Sequence, residues 1–344
     1  MLTALFDLLD FLRSNFSMLF ALAFYTILAV ALAKSIKKHY KVYYWLFGLL
    51  SAGFVIPTVF RLCGSSFPFD LGKIPFFGPC FSELSSAANF VHPVLIIIMY
   101  MGAFSPKNQY IGRLMSIRKE LSIIVGFPVI AHAMKRLFGT FVGGWNFFFD
   151  HETAIQSPRV TSVIGSGISS FVYVLGLVMF VLFLVLWITS FDSVHRKLGT
   201  QKWKAVQKWS YGLYAMLFIH AMGLNLGGYI SDKAREAQQA QRAQTEMVSQ
   251  ARPEGQSQER QAGQGASQQQ ASQGAHGAQQ QPQAQAQQGG HGSRPQPFKF
   301  SEIEISRGAK RILNMIILVL IYGSYLFFRL CKASKAKAAK VARS

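Results

Sequence analysis

Arg196–His220 reads RKLGTQKWKAVQKWSYGLYAMLFIH. It starts as a basic, polar segment and runs straight into an apolar helix. One histidine, His220, sits deep in that helix. An ionisable side chain inside an apolar span is costly to keep there, so it marks a functional site by default. What His220 faces therefore organises the reading of the rest of the chain.

Of the 344 residues, 51% are apolar and 15% are charged. Soluble domains carry about 25% charged residues, and here the apolar residues come in long blocks, as a membrane protein requires. The net charge of +20 does not point to nucleic acid. The basic residues flank the apolar blocks and form no single patch, which is the pattern of inner loops in a membrane protein.

Apolar blocks at 17–34, 42–62, 87–104, 120–138, 163–189, 208–226 and 312–330 predict an all-α membrane protein of about seven transmembrane helices. Residues 1–16 read as an amphipathic lead-in at the membrane surface. Asp7 and Asp10 stand where a signal peptide would carry basic residues, so no cleavable signal is expected.

Charge predicts the orientation. The segments after spans one, three and five, with the C-terminal tail, hold 18 basic residues against Glu120 and Asp192. The N-terminus and the loops after spans two and four hold Arg13, Lys73 and Arg159 against six acids. The positive-inside rule then places the protein in the cell (cytoplasmic) membrane as a multi-pass chain, N-terminus outside and C-terminus inside. Arg118, Lys119, Arg196 and Lys197 read first as inside anchors to membrane lipid. A quinone headgroup or a flavin phosphate is the other partner they suit.

The connection at 227–311 differs from the short loops. From Ala234 to Pro297 it is dominated by Gln, Ala, Gly and Ser, which predicts a disordered extracytoplasmic loop. Its start, DKAREAQQAQRAQTEM, is rich in helix formers and is expected to extend span six. Its end, FKFSEIEIS, alternates like a short strand. It reads as a tolerated flexible insertion or as a tether for a partner. His276 and His291 are too sparse there to make a metal site.

Cys63 and Cys80 both fall near the outer face, where an oxidising compartment permits a disulfide. Sequence alone does not pair them. With three cysteines and no CxxC, zinc and iron–sulfur readings have no support. Cys331 falls at the inner boundary.

Three histidines lie within spans: His92, His132 and His220. Spans four and six enter from the same side. His132 follows Arg118 by 14 residues, and His220 follows Gln207 by 13 and Trp203 by 17. At 1.5 Å per residue both lie about 20 Å above the inner boundary. Two neutral imidazoles at matching depth across a bundle are what a six-coordinate haem needs. The alternative is a polar contact without cofactor. For His92, which precedes Pro93, a hydrogen bond to a neighbouring helix or a place in the pocket lining is expected. His39, His151 and His195 read as solvated. Pro128, four residues before His132, frees the carbonyl of Ile124 and kinks the helix. The kink either opens room for a ligand or is simply tolerated.

These segments resemble a known family. RKELSIIVGFPVIAH (Arg118–His132) is similar to the basic–basic–x–Leu…His helix of the ferric-reductase-like transmembrane domain. WITSFDSVHRKLGTQKWKAVQKWSYGLYAMLFIH (Trp187–His220) resembles its Thr-Ser…Arg-Leu-Gly…Trp…Tyr…His segment. The likeness covers roughly 87–225 and is nearest to haem-binding membrane subunits of bacterial periplasmic methionine sulfoxide reductase systems. It implies a b-type haem held by His132 and His220, with Arg196, Gly199 and Trp203 matching the loop before the last ligand helix. Where the family commonly has a further histidine, four residues after the tryptophan, this chain has Gln207. Gln does not normally replace imidazole on haem iron, so a second, inner haem is not expected, and a quinone or FMN within the membrane becomes a more attractive donor.

The expected organisation is a lead-in and two additional spans (1–86), a haem-binding core (87–226), the Gln-rich loop (227–311), and a last span with a basic tail (312–344). No GxGxxG follows a strand, and the inner tail is too short for a nicotinamide module. A separate electron donor and an extracytoplasmic reductase, flavoprotein or ferric iron acceptor are therefore implied. The competing expectation is a cofactor-free transporter or assembly factor whose histidines form a relay.

Overall fold

The computed structural model describes residues 2–69, 73–74, 78, 87–105, 107–143, 162–250 and 305–341. Ten α-helices are described: α1 (Leu2–Asn15), α2 (Ser17–Lys38), α3 (Tyr40–Leu62), α4 (His92–Met101), α5 (Gln109–Ser116), α6 (Arg118–Gly143), α7 (Val163–Ile188), α8 (Asp192–Gln207), α9 (Ser210–Gln250) and α10 (Arg307–Val341). Among the described residues there is no strand. Six helices are long and apolar enough to cross a membrane: α2, α3, α6, α7, α9 and α10. The chain is a multi-pass helical membrane protein.

The third expected span differs from the other six. A π-helical turn, Ala87–Val91, leads into α4, which has only 10 residues. At 1.5 Å per residue it covers about 15 Å, half a hydrocarbon core. Nearly all of α4 is buried, from His92 through Met99. A helix apolar on every side seeks protein on every side. α2 and α6 pack against it, α10 hydrogen-bonds to it through Tyr322 and Ile321, and the core of the bundle is built on it.

Side-chain pairs fix the helix directions. Lys119 meets Asp192, Trp187 meets Ile123 and Thr140 meets Tyr173, so α6 and α7 are antiparallel. α7 and α9 are also antiparallel and lie very close. A Cβ on Gly223 would come 2.3 Å from Val172, and one on Gly165 would come 2.4 Å from Ser231. Small residues let membrane helices approach in this way. α6 and α9 are therefore parallel, as their common entry side predicts.

α9 runs on to Gln250, 41 residues in all. The helix formers after Asp232 thus continue span six, as expected. The remainder of the Gln-rich loop, most of the FKFSEIEIS segment, His151 and Cys80 lie outside the described residues, and the Cys63–Cys80 pairing with them. Cys63 is exposed.

Candidate functional site: three imidazoles around one helix pair

α7 is the wall on which His220 is oriented. The His220 Nδ1 lies 3.0 Å from the backbone oxygen of Val172. A carbonyl can only accept, so Nδ1 carries the proton and Nε2 keeps its lone pair. This is the arrangement that fixes the tautomer and aim of a metal-binding histidine. Space for the ring comes from Gly176, where a Cβ would lie 3.1 Å from His220 Cε1.

His132 projects from α6, one turn beyond the buried Pro128, and is half-buried. Among the described residues it has no hydrogen-bond partner. α6 stays helical through Pro128. Just before the proline, Trp187 of α7 lies over Gly126 and donates its indole N–H to Ile123 O at 3.1 Å. α6 and α9 share no extended packing; each leans on α7.

His220 is within electrostatic reach of both His132 and His92, and Arg136 within reach of His132 and His220. Their heights along α7 differ from the level arrangement expected. Gly126 and Thr140 bracket His132 on α6 and meet Trp187 and Tyr173, which sets His132 opposite about residue 180. His220 meets Val172 and Gly176. The offset is roughly one to two helical turns.

His92 has the hydrogen bond expected of it. Its Nε2 is 3.0 Å from the hydroxyl of Tyr322 on α10, and its side chain is buried. Tyr322 in turn packs against Phe218, two residues before His220. Both Tyr322 and its pairing with His92 were invisible in the sequence, where the two residues are 230 positions apart.

The loop residues matched to the family pattern hold the α7–α8–α9 turn. Trp203 donates its indole N–H to Thr189 O at 2.9 Å. Gln207 donates from Nε2 to Thr189 Oγ1 at 3.0 Å and to Leu186 O at 3.4 Å. All three bonds end on groups at the C-terminus of α7, where helix carbonyls lack intrahelical partners. Gly199 breaks α8 with φ 73° and ψ 158°, a conformation open essentially to glycine alone. Arg196 is exposed. His195 is not free in solvent as expected; its ring lies 4.6 Å from that of Trp203 and is half-buried.

As donors, though not in the level placement that a flat porphyrin asks of two facing rings, the residues suit a haem. His220 offers an oriented, unprotonated Nε2, His132 offers a ring free of hydrogen bonds, and Gly176 supplies clearance. Lys135 and Arg136 follow His132 within one turn, where anionic propionates would be matched. Among the described residues no group of three or more His, Cys, Asp or Glu side chains forms a site for a bare metal ion.

The chain is 26% identical over 207 residues to an uncharacterized protein of Treponema pallidum (strain Nichols), a stretch covering 59% of this chain and 50% of the relative. The chain thus spans about half the length of the curated relative it matches. No family model and no solved structure matches it.

Proposed function

We propose that this protein is a haem b membrane electron-transfer protein related to the ferric-reductase-like transmembrane domain, with His132 and His220 as the residues that would hold the iron. The observation that carries the reading is the Val172–His220 hydrogen bond, which leaves Nε2 of His220 as the ligand atom. A bound haem would supply a one-electron carrier within the bilayer. The chain's own residues would orient the imidazoles, keep water from the iron and balance the propionates. The donor is a membrane quinol or a separate flavoprotein. The acceptor is an extracytoplasmic reductase, flavoprotein or ferric iron, in a cell-membrane protein with its N-terminus outside. With Gln207 engaged at the end of α7, one haem per chain is the stoichiometry.

The His92–Tyr322 bond favours a second reading, a cofactor-free relay through buried histidines. One experiment separates the two. Membranes carrying the full chain are expected to show the dithionite-reduced spectrum of six-coordinate haem b. His132→Ala and His220→Ala each remove it, and His92→Ala leaves most of it. If both of the first two variants keep the wild-type spectrum, the haem assignment is wrong.

A further inference from the structure

About 20 Å along α6 from His132, the basic end of the bundle holds a cavity of about 240 Å³. Its walls are the end of α4, the first residues of α6 and α9, and the end of α10. Neither His132 nor His220 lines it, and its argument is independent of the haem.

Three cations face this cavity: Arg118, Arg329 and Lys332. Among the described residues no carboxylate lines it. Arg329 donates from Nη1 to Gly102 O at 2.9 Å and from Nη2 to the Tyr211 hydroxyl. Lys332 Nζ donates to Gly102 O at 2.9 Å and Phe104 O at 3.1 Å. These bonds cap the free carbonyls at the end of α4. The acceptors are neutral, so these bonds leave the two positive charges uncompensated. The Arg118 side chain makes no ion pair or hydrogen bond among the described residues. Arg118 and Ser210 also open α6 and α9, whose positive dipole ends converge here.

Charge of one sign, with spare donors and no counter-ion, calls for an anion. The apolar part of the wall, Met99, Phe104 and Met115, suits the glycerol and first methylenes behind a phosphate. The volume is below the roughly 300 Å³ at which sites enclosing whole drug-sized ligands begin. The position is at the end of the spanning helices, where headgroups lie.

We propose that this cavity binds the phosphate headgroup of an anionic phospholipid, with Arg118 and Lys332 as the contacting cations. The full chain, purified in a non-ionic detergent, would be titrated with phosphatidylglycerol or phosphatidylcholine and read by native mass spectrometry and by thermal unfolding. The wild type is expected to retain one phosphatidylglycerol and no phosphatidylcholine. Arg118→Gln with Lys332→Gln weakens retention roughly tenfold or more, the scale of lost charged hydrogen bonds. Arg118→Lys, which keeps the charge, restores part of it. Lys34→Gln with Lys37→Gln, which removes basic residues elsewhere on the chain, leaves it unchanged. Equal retention in the wild type and the Arg118/Lys332 variant overturns the site, as does equal loss in the Lys34/Lys37 control. Inorganic phosphate reproducing the full thermal shift overturns the lipid assignment in favour of a free anion. Unfolding of the double variant without lipid at the wild-type temperature shows that any loss of binding is not a loss of fold.

Discussion

Gly176 and His220 touch across the α7–α9 interface: a methyl group on Gly176 would lie 3.1 Å from His220 Cε1 and 3.5 Å from Nδ1. The ring would have to move by a few tenths of an ångström, and the Val172 bond would move with it. Gly176→Ala is expected to fold and to shift or diminish the reduced haem band. Gly176→Val should abolish it. A control at Gly167, where a Cβ meets open space, should leave the spectrum as it is. An unaltered band in Gly176→Val would remove the glycine from the site.

The Tyr322 hydroxyl is the partner of a buried histidine. Tyr322→Phe strands His92 Nε2, at a cost of about 1–3 kcal/mol. The expected result is a lower unfolding temperature in detergent. In the haem reading the spectrum survives; in the relay reading, function fails while the protein still folds. Stability equal to wild type would mean that the His92–Tyr322 bond contributes nothing.

Trp187 occupies the space that a side chain at position 126 would need. A Cβ there would come 1.8 Å from the indole nitrogen, far inside contact. Gly126→Ala must push the indole off Ile123 O, and overpacking of this kind costs about 1–3 kcal/mol. Trp187→Phe in the same chain should recover part of the loss. Thermal unfolding of the two single variants and the double variant would test this coupling, and strict additivity would refute it.

Gln207 is expected to matter for structure and not for iron. Gln207→Leu removes two hydrogen bonds from the end of α7, at about 1 kcal/mol. The haem-to-protein ratio should not change. A halved haem content after this substitution would show that Gln207 helps to hold a cofactor.

Much of this architecture was legible before any coordinates. Apolar blocks bounded by lysine and arginine announced seven helical segments, because a bilayer imposes its thickness on sequence directly. α4 was the exception. Its block is apolar enough to look like a span, and only tertiary packing decides that a helix this short is wrapped in protein. The two imidazoles could be named from the sequence, but their relative height could not, since helix ends and crossings are set by contacts such as Gly223 against Val172. Trp187 over Gly126 left no trace either. A glycine in a membrane helix shows permission for close approach without saying what approaches. The basic cavity was half visible: Arg118 read as an anchor, while Arg329 and Lys332 join it only because α10 folds back against the end of α4.

Asp232 and Arg311 meet at 2.6 Å, with Gly228 clearing space for the guanidinium. Past that clasp α9 continues for another 18 residues, to Gln250. At helical rise this is a boom of about 27 Å. Cargo fastened at its far tip stands off from the bundle by that length, and it reaches the bundle surface only if the boom bends or melts.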